Sequence, residues 1–204
     1  MSLHSHHYVF QPGAAAAPPL LLLHGTGGTE RDLIPLAQRL SPQSALLSPR
    51  GNVSEHGANR FFARLGEGVF DPAEVTRRTH ELADFVKAAC QEHGIAPERL
   101  IALGFSNGAN VAATLLQLRP GVLDGAVLLR PMVVLNQPAE TNSLNGRRVL
   151  ISSGAHDPIV PPTHPEELAE LLRAGGANVT VKIHAASHGL VAGDLQAAQD
   201  WLAD

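Results

Sequence analysis

Gly104-Phe105-Ser106-Asn107-Gly108 has the pattern G-x-S-x-G, and it lies between an apolar, strand-like run and an alanine-rich, helical run. This strand–turn–helix context predicts a sharp turn in which the serine takes a strained conformation and exposes its hydroxyl. Side chains at the two glycine positions would collide with the turn. The N-terminus of the helix would place positive partial charge near a developing oxyanion. A glycine-rich turn with an ordinary N-cap serine is the alternative, and the flanking elements favour a nucleophile.

Apolar, β-rich runs alternate with helical patterns along the rest of the chain. The predicted strands cover 20–24, 45–48, 100–105, 126–129, 149–152 and 179–183. The predicted helices cover 30–40, 72–93, 109–118, 165–174 and 194–202. This order predicts a single α/β domain over 1–204, with a mostly parallel sheet flanked by helices on both faces. In such sheets, functional sites lie at the carboxyl ends of the strands.

The composition excludes several classes of protein. The chain has 204 residues, one cysteine and a formal net charge of −4. We therefore expect no disulfide framework, no cysteine-based zinc finger and no nucleic-acid surface. The N-terminus lacks a basic region followed by an apolar stretch, and the longest apolar block, 14–23, is short and contains two prolines. These features predict a cytoplasmic protein that does not bind membranes.

Eleven histidines prompt the question of a metal site. His4, His6 and His7 lie in the N-terminal segment 1–19, which we interpret as a solvated tail or as a first edge strand. The sequence has no H-E-x-x-H motif and no closely spaced pair of ligands. We therefore predict neither a metal site nor a cofactor.

Position at the sheet edge selects the acid that would partner Ser106. In a nucleophile-elbow fold the partners follow in the order serine, acid, histidine. Asp124 precedes the predicted strand 126–129 and lies at the amino edge, whereas Asp157 follows the strand 149–152 and lies at the carboxyl edge. We therefore predict Asp157 as the acid, and we assign the nearby glutamates to a solvated helix face.

The same argument selects the base among the four histidines after the nucleophile. His188 lies in the loop just beyond the last predicted strand, again at the carboxyl edge. His156 adjoins the acid, His164 begins a helix and His184 closes a strand. We therefore predict that His188 takes the serine proton and later delivers it to the leaving group.

The loop His24-Gly25-Thr26-Gly27-Gly28 follows the predicted strand 20–24. It lacks the G-K-[ST] ending of a phosphate loop and the third glycine of a dinucleotide fingerprint. A histidine–glycine loop beside the nucleophile is typical of an oxyanion hole. We predict that the backbone N–H groups of Thr26 and Asn107 donate to the oxyanion, and that His24 braces the loop.

Together these segments resemble the α/β-hydrolase fold, and within it the phospholipase/carboxylesterase family close to the dienelactone hydrolases. The matching segments are 24–28 (HGTGG), 48–52 (SPRGN), 57–62 (GANRFF), 68–71 (GVFD), 104–108 (GFSNG), 154–157 (GAHD) and 187–189 (SHG). The resemblance covers about 20–202, and within the family the chain is similar to a bacterial subgroup of small serine carboxylesterases. This resemblance implies Ser106, Asp157 and His188 as the triad. Dienelactone hydrolases carry a cysteine nucleophile, whereas the single cysteine here, Cys90, lies on the long helix and is interpreted as a small buried apolar residue.

The segment between the strands 126–129 and 149–152 is too short for a helical lid, so we expect minimal or no lid and an open site. Arg60, Phe61, Phe62 and Met132 are candidate substrate-binding residues, with ordinary loop packing as the alternative. Arg60 would bind a substrate carboxylate or form a structural salt bridge.

The sequence leaves several functions open. The first is a serine hydrolase that cleaves short- to medium-chain carboxylic esters through an acyl-enzyme, with a small-molecule ester as its partner. A thioesterase or lysophospholipase-type hydrolase and a non-catalytic ligand sensor are the alternatives, and a metal-dependent hydrolase using His24, His156, Asp157 and His188 is a further one. An apolar surface would also support a homodimer.

Overall fold

The computed structural model describes residues 3–203. The strands are β1 Tyr8–Gln11, β2 Leu20–Leu23, β3 Leu46–Pro49, β4 Val53–Glu55, β5 Ala58–Arg60, β6 Ile101–Phe105, β7 Gly125–Leu129, β8 Arg148–Gly154 and β9 Asn178–His184. The α-helices are α1 Ile34–Leu40, α2 Pro72–His93, α3 Asn107–Leu118, α4 His164–Arg173 and α5 Ala192–Ala203.

Seven strands form one sheet in the order β1-β3-β2-β6-β7-β8-β9. Strand β1 pairs antiparallel with β3, and the other neighbours in this sheet are parallel. The mostly parallel sheet is therefore confirmed, and the segment 1–19 contributes the edge strand that was one of its two predicted forms. The parallel strands place the loops after β2, β6, β8 and β9 at one edge of the sheet.

Helices cover both faces of the sheet, as predicted. In β2, Leu21 and Leu23 pack into a core with α2, α3 and α4, whereas Leu20 and Leu22 pack on the other face against α1 and α5. All four leucines are buried because apolar layers lie on both sides.

The longest helix, α2, begins and ends where the sequence predicted. Asp71 caps its start by accepting a hydrogen bond from the N–H of Ala73, and Gly94 ends it in a left-handed conformation with φ 65°. Cys90 is buried in this helix, and burial raises the pKa of its thiol to about 11. Within residues 3–203, neither this helix nor another combines the length and apolarity needed to cross a membrane.

The start of α1 and a short hairpin differ from the sequence predictions. Helix α1 begins at Ile34 and not at residue 30, because 30–33 form turns and Glu30 is paired with Arg50. Strands β4 and β5 form a hairpin that was not predicted, and its turn residues His56 and Gly57 have φ 51° and 85°. Two positive φ values suit a two-residue hairpin turn, but histidine is not a typical signal for one.

His6 is buried, which corrects its interpretation as part of a solvated tail. The centroid of its ring lies 4.8 Å from that of Phe85 on α2, and the residue is 6% exposed. Burial lowers the pKa of His6 to about 4, although the carboxylate of Glu81 acts in the opposite direction. The N-terminal segment is therefore attached to α2 by a neutral histidine.

Candidate active site

The turn between β6 and α3 holds Ser106 in a rare backbone conformation, φ 52° and ψ −116°. The flanking glycines allow this turn to approach the sheet closely. A Cβ atom at Gly108 would lie 1.8 Å from the carbonyl oxygen of Leu23, and one at Gly104 would lie 2.6 Å from that of Gly108. The predicted strand–turn–helix is therefore present, and its glycines are required by backbone contacts.

A continuous chain of hydrogen-bonding distances joins Ser106, His188 and Asp157. The Oγ of Ser106 lies 3.0 Å from the Nε2 of His188, and the Nδ1 of His188 lies 2.8 Å from the Oδ2 of Asp157. The His188 side chain is 20% exposed, whereas that of Asp157 is 1% exposed. The structure thus brings together the serine of the G-x-S-x-G pattern with the acid and the base that the sheet-edge argument selected. The histidine is accessible and the carboxylate is covered.

The backbone around Asp157 favours its ionised form. Burial alone would raise the pKa of this carboxyl, but hydrogen bonds from the N–H groups of Ile159 and Val160, and from the His188 ring, hold the pKa below its ordinary value. An ionised Asp157 accepts a hydrogen bond from the Nδ1–H of His188, so the unprotonated Nε2 faces Ser106 as an acceptor.

The loops that carry the acid and the histidine are bonded to each other because they follow the adjacent strands β8 and β9. The N–H of Ala155 donates to the carbonyl of His184 at 2.8 Å, and the N–H of His156 donates to that of Ala186 at 3.0 Å. These bonds fix the spacing between the two loops and so between the two side chains that they carry.

The side chains that the sequence argument set aside lie away from this chain of contacts. Asp124 forms an ion pair with Arg147. His164 is the first residue of α4, and its Nδ1 accepts a hydrogen bond from the N–H of Val133 at 3.2 Å. The Nε2 of His184 lies 3.7 Å from a carboxylate oxygen of Asp194.

The loop after β2 places Thr26 in the cleft beside Ser106 and Asn107. Asn107 is the first residue of α3, where a backbone N–H has no acceptor within the helix. In the described part of the chain, the N–H of Thr26 likewise donates to no backbone carbonyl. Two N–H donors of the type predicted for an oxyanion hole therefore border one cleft.

His24 joins this loop to a neighbouring segment. Its Nδ1 lies 2.7 Å from the carbonyl oxygen of Gly25, and its Nε2 accepts a hydrogen bond from the N–H of Gly51 at 2.9 Å. Burial lowers the pKa of His24, against the effect of the Gly25 carbonyl, so the neutral ring can donate at one nitrogen and accept at the other. This geometry is that of a brace.

The cleft has a volume of about 310 Å³. The predicted residues Arg60 and Met132 line it, but Phe61 and Phe62 do not, which corrects their assignment. Both phenylalanines are buried in the core beneath the cleft, at 3% and 0% exposure. The aromatic walls come from other residues, Phe70 and Phe105. The sequence shows the cluster of phenylalanines in this loop, but not which rings turn inward.

Arg60 combines a structural contact with a place in the cleft wall. Its Nη1 donates to the Oγ1 of Thr26 at 2.5 Å, and its Nε donates to the carbonyl of Phe62 at 3.1 Å. Glu55 lies 3.5 Å from its Nε, but that carboxylate is also hydrogen-bonded to Arg64. One carboxylate therefore faces two guanidinium groups. Arg60 both pairs with Glu55 and lines the cleft, so each of the two environments predicted for it is present.

A buried ion pair next to the histidine loop was not predicted. Arg130 and Asp194 are each completely buried and make two contacts of 2.7 Å. The sequence shows an arginine directly after β7 and an aspartate in the first turn of α5, but hydrophobic periodicity does not pair them.

The described residues contain no group of three or more histidine, cysteine, aspartate or glutamate side chains placed to hold a metal ion. Of the four side chains in the metal-dependent alternative, His188 and Asp157 form the pair described above, and His24 is committed at both ring nitrogens.

The family model for Phospholipase/Carboxylesterase matches residues 4–204, nearly the whole chain. The chain belongs to this family. Its members are hydrolases, so this chain is a hydrolase with the α/β-hydrolase fold that the resemblance implied.

Three bacterial proteins are similar to this chain along most of their length. The chain is 43% identical over 182 residues to the “Putative hydrolase MhqD” of Bacillus subtilis (strain 168), covering 89% of this chain and 90% of that protein. It is 44% identical to the Bacillus cereus carboxylesterase, with a TM-score of 0.92 and coverage of 96% and 92%. It is 35% identical to the carboxylesterase from Mesorhizobium loti, with a TM-score of 0.86 and coverage of 94% and 90%.

Proposed function

We propose that this hydrolase cleaves short- to medium-chain carboxylic esters through a covalent acyl-enzyme on Ser106. The observation that carries the proposal is the chain of contacts from Asp157 through His188 to Ser106, at 2.8 and 3.0 Å. It has the order and the distances of a nucleophile, a general base and the group that orients the base. The carboxylesterases of Bacillus cereus and Mesorhizobium loti, to which the chain is similar, support an ester as the substrate.

Proton transfer follows from this arrangement. Neutral His188 accepts the Ser106 proton at Nε2 as Oγ attacks the ester carbonyl carbon, and the imidazolium is stabilised by the Asp157 carboxylate. His188 then donates that proton to the leaving alkoxide as the carbon–oxygen bond breaks. Water attacks the acyl-enzyme with His188 again as base, which releases the carboxylic acid and restores the Ser106 hydroxyl.

The N–H groups of Thr26 and Asn107 would stabilise the negative oxygen in both tetrahedral intermediates. Removing one such donor typically costs about 2.7–4 kcal/mol of transition-state stabilisation. Arg60 supports this loop through its hydrogen bond to the Thr26 hydroxyl.

The size of the cleft favours small substrates. Its volume of about 310 Å³ is at the lower end of the range of roughly 300–1,000 Å³ for ligand pockets. Residues 131–146, where a lid would be inserted, contain neither helix nor strand. Esters with short or medium acyl chains fit such a cleft, whereas a long chain would extend into solvent.

The test is hydrolysis of p-nitrophenyl acetate, butyrate, octanoate and palmitate by the native chain, by Ser106→Ala and after treatment with a chelator. We expect kcat to fall by roughly 10⁴–10⁶-fold in Ser106→Ala, no effect of the chelator, and kcat/KM to be highest at or below octanoate. Inhibition by the chelator would favour a metal-dependent hydrolase. A steady rise in kcat/KM through palmitate would favour a lysophospholipase-type hydrolase, and faster turnover of matched thioesters would favour a thioesterase. The absence of turnover with every substrate would favour a ligand sensor.

A further inference from the structure

Arg130 lies at the point where β7 ends, next to the turn that carries Ser106. Its backbone is left-handed, with φ 57°, and its N–H donates to the carbonyl of Ser152 on β8 at 2.8 Å. A non-glycine residue rarely adopts this conformation without compensating contacts. The side chain is among the largest that are fully buried in the described protein.

Each donor of the Arg130 guanidinium has an acceptor. The two terminal nitrogens bind the two carboxylate oxygens of Asp194, both at 2.7 Å, and Nη1 also donates to the carbonyl of Ser152 at 3.2 Å. The remaining N–H groups donate to the carbonyls of Ser187 at 3.1 Å and Gly189 at 2.8 Å. These two carbonyls belong to the residues on either side of His188.

Asp194 holds this guanidinium from the first turn of α5. Its carboxylate also accepts hydrogen bonds from the hydroxyl of Ser152 at 2.6 Å and from the N–H of Val191 at 2.8 Å. Burial would raise the pKa of Asp194, but the bonds from Arg130, Ser152 and Val191 outweigh it and keep the pKa below its ordinary value. The charge pair thus connects α5, β8 and the loop that carries the histidine.

The loop 185–191 has no strand or helix of its own, so its backbone position depends on such contacts. Only a planar guanidinium can bind a carboxylate with two N–H groups and still reach two separate carbonyls. A lysine ammonium retains the charge but not this geometry. Misplacing a reacting group by about 1 Å can lower kcat about 100-fold.

We propose that Arg130 is a positioning residue for the reaction: by binding the carbonyls of Ser187 and Gly189 while paired with Asp194, it holds His188 between Asp157 and Ser106. This inference rests on the proposed function. It assigns a role to a charge pair that the triad and the oxyanion hole leave unused, and it predicts an effect on kcat and not on substrate binding.

The test compares two variants with a matched control. Arg130→Met combined with Asp194→Leu removes both buried charges together, so that neither is left unpaired. Arg130→Lys keeps the charge opposite Asp194 but not the bonds to both loop carbonyls. Arg147→Met combined with Asp124→Leu removes an ion pair at the opposite edge of the sheet and serves as the control.

We expect kcat for p-nitrophenyl butyrate, per folded molecule counted by circular dichroism, to fall about 100-fold in the double variant and about 10-fold in Arg130→Lys. KM should stay within about twofold of the native value in both variants, and the control should keep the native kcat. A native kcat in either folded variant, or an equal loss in the control, would overturn the inference.

If the double variant does not fold, Arg130→Lys decides alone. A native chain without Ser106-dependent turnover would overturn the proposed function as well, whereas failure of the inference alone leaves that turnover intact.

Discussion

Ser106 is held in its unfavourable conformation by hydrogen bonds on both sides of the residue. Its N–H donates to the carbonyl of Leu129, and its own carbonyl accepts from the N–H of Asn110, both at 2.9 Å. A strained φ/ψ pair costs on the order of 1–3 kcal/mol and persists only where the surroundings enforce it. Here the enforced conformation points the hydroxyl at His188, so the strain coincides with the proposed nucleophile.

Asp157→Asn should lower kcat by about 10⁴-fold while leaving the fold intact. The amide oxygen can still accept the N–H groups of Ile159 and Val160, but the amide NH₂ then faces His188 and favours the tautomer with a proton on the Nε2 that faces Ser106. Hydrolysis of p-nitrophenyl butyrate and a thermal melt would measure both effects, with Asp124→Asn as the matched control. Activity within tenfold of the native chain would contradict the role of Asp157.

Arg60→Gln tests whether the cleft prefers anionic substrates. The guanidinium shares Glu55 with Arg64 and lines the cleft, so we expect it to attract a substrate carboxylate. The variant should raise KM for a monoester of a dicarboxylic acid about tenfold more than for a neutral ester of equal length, since a hydrogen bond to a charged group contributes about 1.5–3 kcal/mol. An equal rise in both KM values would assign Arg60 to loop support alone.

Among the elements, the crossing of α3 over β2 depends on the absence of a side chain at Gly108. Gly108→Ala would place a Cβ 1.8 Å from the carbonyl oxygen of Leu23, so strand and helix must move apart. We expect the free energy of unfolding to fall by about 3 kcal/mol. Urea unfolding would measure it, with Gly121→Ala as the control, because a Cβ there meets nothing within 4 Å. Equal midpoints for the two variants would contradict this packing argument.

The attachment of the N-terminal segment to α2 should weaken in acid. Folded His6 has a pKa of about 4, whereas an exposed histidine in the unfolded chain has a pKa of about 6.5, so below pH 6.5 the unfolded chain binds more protons. Stability from this residue is complete above about pH 6.5 and is lost as the pH falls to about 4, by about 3 kcal/mol in total. His6→Leu should flatten the dependence of the unfolding free energy on pH in this window, whereas His7→Leu, at an exposed position, should not. Parallel pH curves for His6→Leu and the native chain would refute the assignment.

For the molecule as a whole, the sequence predicted the elements and the edge of the sheet better than it predicted side-chain surroundings. The G-x-S-x-G pattern predicted Ser106, and the strand-edge rule selected Asp157 and His188. The structure brings all three within hydrogen-bonding distance because parallel strands carry their following loops to one edge. The rule does not say whether a phenylalanine in a loop faces the cleft or the core, so it could not show that Phe61 and Phe62 are both buried.

The sequence did not predict the buried ion pair between Arg130 and Asp194 because its pattern does not show which distant side chains meet. Arg130 and Asp194 lie 64 positions apart, and charged residues are rarely buried unless paired, so the pattern of the sequence favours the surface for each. The pairing exists only because β7 and the start of α5 meet at the same edge as the histidine loop. The burial of His6 is hidden from the sequence for the same reason, since it depends on Phe85, which is distant in sequence.

The most direct test of the account is mass spectrometry of the protein after reaction with a fluorophosphonate, which labels activated serine nucleophiles. We expect one adduct per chain, located on the peptide that carries Ser106, formed more slowly in the presence of p-nitrophenyl butyrate and absent from Ser106→Ala. An adduct on a different residue, or an unlabelled chain that still hydrolyses the ester, would contradict the assignment of Ser106 as the nucleophile.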